Sequence, residues 1–331
     1  MSAQEVVVVT EPEYRKAEDA FLAAAGRGLR CLCAPHPEEQ LAGVVREHGA
    51  RHAILGVEKY EEELYAALPA GGVLARFGVG FDGLDLARAT AAGLYCTNTP
   101  GVLDRSVAEH TLALMLAAAR NVCGRENRVV GAELAGLKLA VIGCGAIGCR
   151  VAAIASRGLG MNVTGCEVRD LDVAAMKREH GFGDVVEEFE EAVDGADFVS
   201  LHLPLVDATR GFLNASRIAA IPPGAWLLNT ARGGLVDEEA LHAALSTGQL
   251  AGAALDVTVH EPYEPVAAGA DLRELPNTIM TPHVGSSTVQ ACRRMAARSL
   301  ENVLLARSGE HSQMDLLNPE VLEHRIEEKR T

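Results

Sequence analysis

Apolar positions along this chain switch between two spacings. Unbroken runs of strand length, Val6-Val7-Val8-Val9, Ala53-Ile54-Leu55-Gly56-Val57 and Val73-Leu74-Ala75-Arg76-Phe77, predict three buried strands in the N-terminal part. From Ser106 to Arg120 the period lengthens. Leu112, Met115, Leu116 and Ala119 fall at i, i+3, i+4 and i+7, widened by Leu114 and Ala118. This predicts a largely buried helix that crosses between domains or forms a subunit contact. Strand-like runs then return at Lys138–Ile142, Asn162–Cys166, Ala196–Pro204, Ala225–Thr230, Ala253–Val257 and Thr278–Thr281. Helical spacing follows the first of them, at Val151, Ala152, Ile154 and Ala155, and recurs from Asp237 to Thr247. A closing helix is expected from about Ser287 to Ala306. Beyond it Glu320, Glu323, Arg325, Glu327, Glu328, Lys329 and Arg330 suggest a solvated helix or frayed end. Strands alternating with helices give an α/β protein, and 331 residues favour two domains.

One turn in this pattern carries chemistry. Gly143-Cys144-Gly145-Ala146-Ile147-Gly148 is G-x-G-x-x-G, with a strand in front and a helix behind. Gly143 permits the tight turn, Gly145 lets backbone approach a pyrophosphate, and Gly148 lets helix and strand pack closely. The helix N-terminus then offers N–H groups and partial positive charge to the anion. Glu167 ends the next strand about twenty residues on, where a ribose-binding carboxylate belongs. A dinucleotide site is the expectation; a glycine-rich turn in some other sheet leaves the position of Glu167 to chance.

Composition narrows the partners. The chain is 48% hydrophobic, with 45 acidic against 30 basic residues and a net charge of −15. With no basic block, nucleic acid and anionic membranes are disfavoured. No basic leader precedes Val6, and no apolar stretch approaches a membrane span. None of the eight cysteines forms a C-x-x-C pair; several sit in apolar elements as small buried thiols, which fits a cytoplasmic protein without a metal site.

In open parallel sheets ligands bind outside the carboxyl ends of the strands. Arg232, Asp256 and His283 each end or follow a predicted strand, so they are expected at the edge that holds the dinucleotide. A dinucleotide beside a cleft suggests hydride transfer, and reducing a ketone also needs a general acid. Histidine suits that role, a neighbouring carboxylate favours its imidazolium form, and an arginine grips a carboxylate bidentately. His283, Glu261 and Arg232 supply these parts. The alternatives are ordinary: Arg232 as a surface ion pair, His283 as a cap on the following helix, Asp256 as a turn cap. His110 is expected to be packed or hydrogen-bonded rather than catalytic. The turn Gly78-Val79-Gly80-Phe81-Asp82-Gly83 is either a small-anion cradle or a plain turn.

At these residues the chain resembles the D-isomer-specific 2-hydroxyacid dehydrogenase family, over about residues 50 to 305. The ordered motifs are Gly78-Val79-Gly80 with Asp82 and Asp85, Asn98-Thr99-Pro100-Gly101, Val107-Ala108-Glu109, the glycine motif, His202-Leu203-Pro204-Leu205, Asn229-Thr230-Ala231-Arg232-Gly233, Asp256-Val257 with Glu261-Pro262, and Thr281-Pro282-His283-Val284-Gly285. The resemblance implies two Rossmann-like doubly wound domains. A dinucleotide-binding domain (102–285) is inserted into a flavodoxin-like substrate domain (1–101 and 286–331).

It implies NAD(H)-dependent interconversion of a 2-oxoacid and a D-2-hydroxyacid. His283 is then the acid/base, Glu261 its partner, and Arg232 the anchor for substrate carboxylate and carbonyl. The cofactor residues it implies are Val107, Gly143, Gly145, Ala146, Ile147, Gly148, Glu167, Leu203, Pro204, Thr209, Thr230, Ala231, Arg232, Asp256, His283 and Gly285, with Asp256 on the nicotinamide carboxamide. Val79, Gly80, Arg232 and His283 would bind substrate, and the usual assembly is a homodimer held by the cofactor domains. The chain departs from the family pattern in a short link after Arg120, Ala140 for a common glycine, and Glu167 with Arg169 nearby, which favours NAD while leaving NADP open. Gly56-Val57 replaces an arginine-bearing stretch of phosphoglycerate dehydrogenases, which disfavours a phosphorylated substrate, while Arg76 leaves one open. Two other readings share the fold: an NAD-sensing protein resembling the C-terminal-binding protein corepressors, and a phosphite-dehydrogenase-like enzyme.

Overall fold

The computed structural model describes residues 4–123 and 130–323. The chain divides into two compact units, Met1–Leu103 with Ser286–Thr331, and Asp104–Gly285. The first holds a parallel sheet of β1 (Glu5–Thr10), β2 (Leu29–Ala34), β3 (His52–Leu55), β4 (Val73–Arg76) and β5 (Tyr95–Thr97), in the order β2-β1-β3-β4-β5. That is the flavodoxin-like order. β3 and β4 are buried along their whole length, as a parallel sheet covered on both faces requires.

The second unit holds β6 (Lys138–Ile142), β7 (Asn162–Cys166), β8 (Asp184–Val186), β9 (Phe198–Leu201), β10 (Trp226–Asn229), β11 (Gly252–Leu255) and β12 (Thr278–Met280). They form one parallel sheet, β8-β7-β6-β9-β10-β11-β12. This is the doubly wound Rossmann order with one strand added, and the order reverses between β6 and β9. The α/β class expected from the pattern is the class observed, as are the doubly wound sheets that the resemblance implies.

Several elements differ from the sequence reading. β2, β5 and β8 carried no clear signal. β2 is an edge strand with exposed positions, and β5 and β8 are three residues each. The helix Asp104–Ala119 buries Leu112, Met115 and Ala119, but Leu116, placed on the same stripe, is 41% exposed. The last helix is Val289–Ser308, and its cap is Thr288, which accepts from the Ala291 N–H; His283 does not cap it.

The segment after that helix is docked rather than wholly solvated. Leu316 bridges Thr97, and the fully buried Asn318 accepts from the Cys96 N–H and donates to Thr90 and the Leu94 carbonyl. Glu320, placed in the solvated tail, accepts from the Thr90 hydroxyl at 3.2 Å, while Glu323 is exposed. Arg325, Glu327, Glu328, Lys329 and Arg330 lie outside the described residues. So does part of the short link after Arg120.

Candidate active site

The glycine turn follows β6 and opens the helix Ala146–Leu159, whose N-cap is Gly145 with no side-chain capping bond. Its first N–H groups are therefore not taken by a capping side chain. Gly143 has φ +98°, and the His202 backbone lies where its Cβ would stand. Above Gly145 a Cβ would meet nothing within 4 Å, so this is the open cradle a pyrophosphate needs. At Gly148 a Cβ would fall 2.1 Å from the Gly143 carbonyl oxygen. Gly148→Ala must therefore push helix and turn apart, and about a tenfold or larger loss of NADH affinity with a lower melting temperature is expected. NADH fluorescence titration and a thermal melt read both; unchanged affinity would mean the turn is not the dinucleotide site.

Glu167, just past β7, is buried and hydrogen-bonded through both carboxylate oxygens. Its carboxylate accepts from the Cys144 N–H inside the glycine turn at 3.1 Å, from the Val168 and Arg169 N–H groups, and from the Arg169 guanidinium at 2.6 Å. Burial opposes its charge, but Arg169 and these amides win, holding its carboxyl below the ordinary range. Sequence reasoning gave Glu167 a ribose; the structure adds a tie to the turn itself. Burial pushes the Cys144 thiol up to about 12 and that of Cys166 to about 11, so both are small protonated core groups.

The carboxyl ends of β10, β11 and β12 hold the other groups. After β10, the Asn229 side chain accepts from the Ala231 N–H at 3.0 Å and donates to the Arg232 carbonyl at 2.9 Å. Asn229 thereby shapes the turn that presents the half-buried Arg232. Thr230 shares a hydrogen bond of 2.8 Å with Thr111, which also donates to the Val107 carbonyl. In the loop after β9, Thr209 donates to the Pro204 carbonyl and accepts from Val206, leaving Leu203 and Pro204 at its start.

After β11, Asp256 is almost fully buried. It accepts from the Thr281 hydroxyl at 2.6 Å, the Val284 N–H at 2.9 Å and the Gly285 N–H at 2.8 Å, with His110 Nε2 at 3.2 Å. Burial raises its pKa, but His110 and the other donors outweigh that and hold it below the ordinary value. His110 is thus a hydrogen-bonded structural histidine, shared between Asp256 and Thr281.

His283, after β12, has φ +51°, a left-handed conformation uncommon outside glycine. Its N–H donates to the Asp256 and Thr281 carbonyls at 2.8 and 3.0 Å. Its Nδ1 lies 2.7 Å from Glu261 Oε2, so Nε2 is the ring nitrogen turned away from that carboxylate. The turns of Arg232 and Glu261 touch: a Cβ on Gly233 would sit 1.9 Å from the Thr258 carbonyl carbon. Arg232, Glu261, His283 and Asp256, with the glycine turn, therefore share the second unit. Val79 and Gly80 lie in the first unit, just after β4, where the Asn98 side chain donates to the Val79 carbonyl at 2.8 Å. Sequence reasoning quoted Asn229 only as part of a motif and gave it no role, and it missed Thr111 and Glu238, whose signal is contact across the fold. Among the described residues no group of three or more His, Cys, Asp or Glu could hold a metal ion, and no helix is long and apolar enough to cross a membrane.

Known proteins resemble this chain in sequence and fold. A family model described as "D-isomer specific 2-hydroxyacid dehydrogenase, NAD binding domain" matches residues 106–285. A glyoxylate reductase of Pyrococcus furiosus is 34% identical over 87% of this chain and 88% of its own length. Among solved structures, D-lactate dehydrogenase from Aquifex aeolicus, complexed with NAD and lactic acid, superposes with a TM-score of 0.80 at 26% identity, over 94% of this chain and 99% of that one. An NADPH-dependent glyoxylate/hydroxypyruvate reductase from Sinorhizobium meliloti, complexed with NADP and malonate, gives 0.77 at 26% identity, over 92% and 94%. By that family model and those relatives, the chain belongs to the D-isomer-specific 2-hydroxyacid dehydrogenase family and is a 2-hydroxyacid oxidoreductase.

Proposed function

We propose that this enzyme reduces a small, unphosphorylated 2-oxoacid to the D-2-hydroxyacid with NADH. The observation that carries the reading is the 2.7 Å contact of His283 Nδ1 with Glu261, beside the turn that presents Arg232. Arg232 grips the substrate carboxylate and polarises the carbonyl. In the first unit, Val79 and Gly80 are assigned to substrate binding. The dinucleotide, when bound, supplies the hydride. His283 Nε2 gives its proton to the carbonyl oxygen, and Glu261 steadies the imidazolium before that transfer. In the reverse direction His283 takes the hydroxyl proton. The glycine turn and helix N-terminus hold the pyrophosphate, Glu167 the ribose, and Asp256 the carboxamide through Oδ2, which has a single protein donor among those described.

The test is turnover of glyoxylate, hydroxypyruvate, pyruvate and longer 2-oxoacids with NADH and NADPH. The smallest acids are expected to react fastest. No turnover with any of them, by protein that binds NADH, ends the proposal. A 2′-phosphate would meet the Glu167 carboxylate, and Arg169 is already paired with it. NADH should therefore exceed NADPH in kcat/KM by about 10- to 100-fold. Equal use of both would mean Arg169 leaves Glu167 for the phosphate. We also assign a homodimer built on the second unit, whose Leu116, Val122 and Val130 are exposed apolar side chains; light scattering tests it. All eight cysteines are free thiols, which suits a cytoplasmic location.

A further inference from the structure

Glu238 is a buried carboxylate that the mechanism above does not use. It stands in the first turn of the helix Glu238–Ser246 and is 4% exposed. Its Oε1 accepts from the Val259 N–H at 2.6 Å, while Oε2 is buried without a hydrogen-bond partner. Burial raises its pKa, against the pull of the Val259 amide. A half-satisfied buried acid is costly, and such a group calls for a reason to persist.

Its place in the chain supplies one. Glu238 lies six residues after Arg232, at the end of the same turn; Val259 lies two residues before Glu261. Gly233 already packs against the Thr258 backbone. Across that contact the Glu238 carboxylate draws the Val259 amide toward the Arg232 turn. The small loop it holds is closed further by the Thr258 hydroxyl on the His260 carbonyl at 2.7 Å, and by the Thr258 N–H turned toward Glu261 Oε1 at 3.4 Å. Val259 and His260 are both exposed, so burial does not fix the loop's height above β11.

We propose that Glu238 is a positioning residue. Through the Val259 N–H it sets the Thr258–Glu261 loop, and so the distance from Glu261 to His283, and it locks that loop to the turn bearing Arg232. This rests on the reading of His283 and Glu261 as the acid/base pair. The carboxylate matters here as an acceptor of fixed length, so glutamine should replace it and alanine should not.

The experiment compares E238A, E238Q and H283A with the unaltered enzyme in reduction of glyoxylate by NADH. It measures kcat, KM, NADH affinity and melting temperature. E238A is expected to lose about 10- to 100-fold in kcat and keep KM and NADH affinity within about twofold, because Glu261 no longer stands where it orients His283. E238Q is expected to recover kcat to within about threefold. Should E238A fold poorly, E238D carries the same test, since it keeps the acid but withdraws it by one methylene. Equal losses in E238A and E238Q would overturn the proposal, as would an E238A kcat within about threefold of normal. Normal turnover by H283A would instead overturn the acid/base reading beneath it.

Discussion

His283→Ala should lower 2-oxoacid reduction by about 10²- to 10⁴-fold, the usual worth of a positioned general acid, and leave NADH affinity nearly unchanged. The split follows from where the parts sit. The glycine turn and Glu167 belong to β6 and β7, whereas His283 follows β12 at the other side of the order reversal. Removing the imidazole takes away the proposed proton donor and leaves the Glu261 carboxylate, 31% exposed at its side chain, without its partner. Glu261→Gln should cost less, because an amide oxygen still accepts from Nδ1–H and keeps the ring oriented. Steady-state kinetics with fluorescence titration of NADH check both. Full turnover by the alanine variant would place the proton donor elsewhere.

The glycine turn and the proposed trio of Arg232, Glu261 and His283 were legible in the sequence for a steric reason. Gly143, Gly145 and Gly148 are spaced by the geometry of one turn, and any strand-ending residue of a parallel sheet lies at the ligand edge. Arg232 and His283 were therefore placed by counting strands, without contacts. Tertiary ties were not legible in that way. His110 with Asp256, Thr111 with Thr230, and Glu238 with Val259 join positions remote in the chain, and nothing in the local pattern of any partner announces the other.

Edges of sheets were hidden for a different reason. β5 and β8 are too short for a period to show, and β2 has exposed positions because nothing covers an edge fully. The segment at Asn318 was hidden because a polar side chain there does the work of backbone, pairing with the Cys96 N–H and the Leu94 carbonyl. Hydrophobic patterning sees what is removed from water, and is blind to a buried polar group that is matched.

Asp256→Ala should give the largest loss of stability among single site changes, about 3–5 kcal/mol, together with most of the activity. The side chain is 1% exposed, and its removal strands the Thr281 hydroxyl, His110 Nε2 and the Val284 and Gly285 N–H groups. Two of those amides directly follow His283, whose left-handed backbone is unfavourable on its own and persists because its surroundings fix it. Without Asp256 that turn is free to relax, and the imidazole leaves Glu261. Asp256→Asn keeps the volume but turns an amide N–H toward groups that themselves donate, so it should fall between wild type and alanine.

The pH dependence has a definite sign. The folded protein holds the Asp256 pKa below its unfolded value, near 3.9, so the ionised group stabilises the fold above that value. The contribution is lost as pH falls through the lower, folded pKa. The gap in melting temperature between wild type and Asp256→Ala should therefore be full at neutral pH and narrow only below about pH 4. A gap independent of pH down to acid unfolding would mean that the lost bonds matter through volume rather than charge. A variant that melts normally yet has lost turnover would confine Asp256 to holding the cofactor.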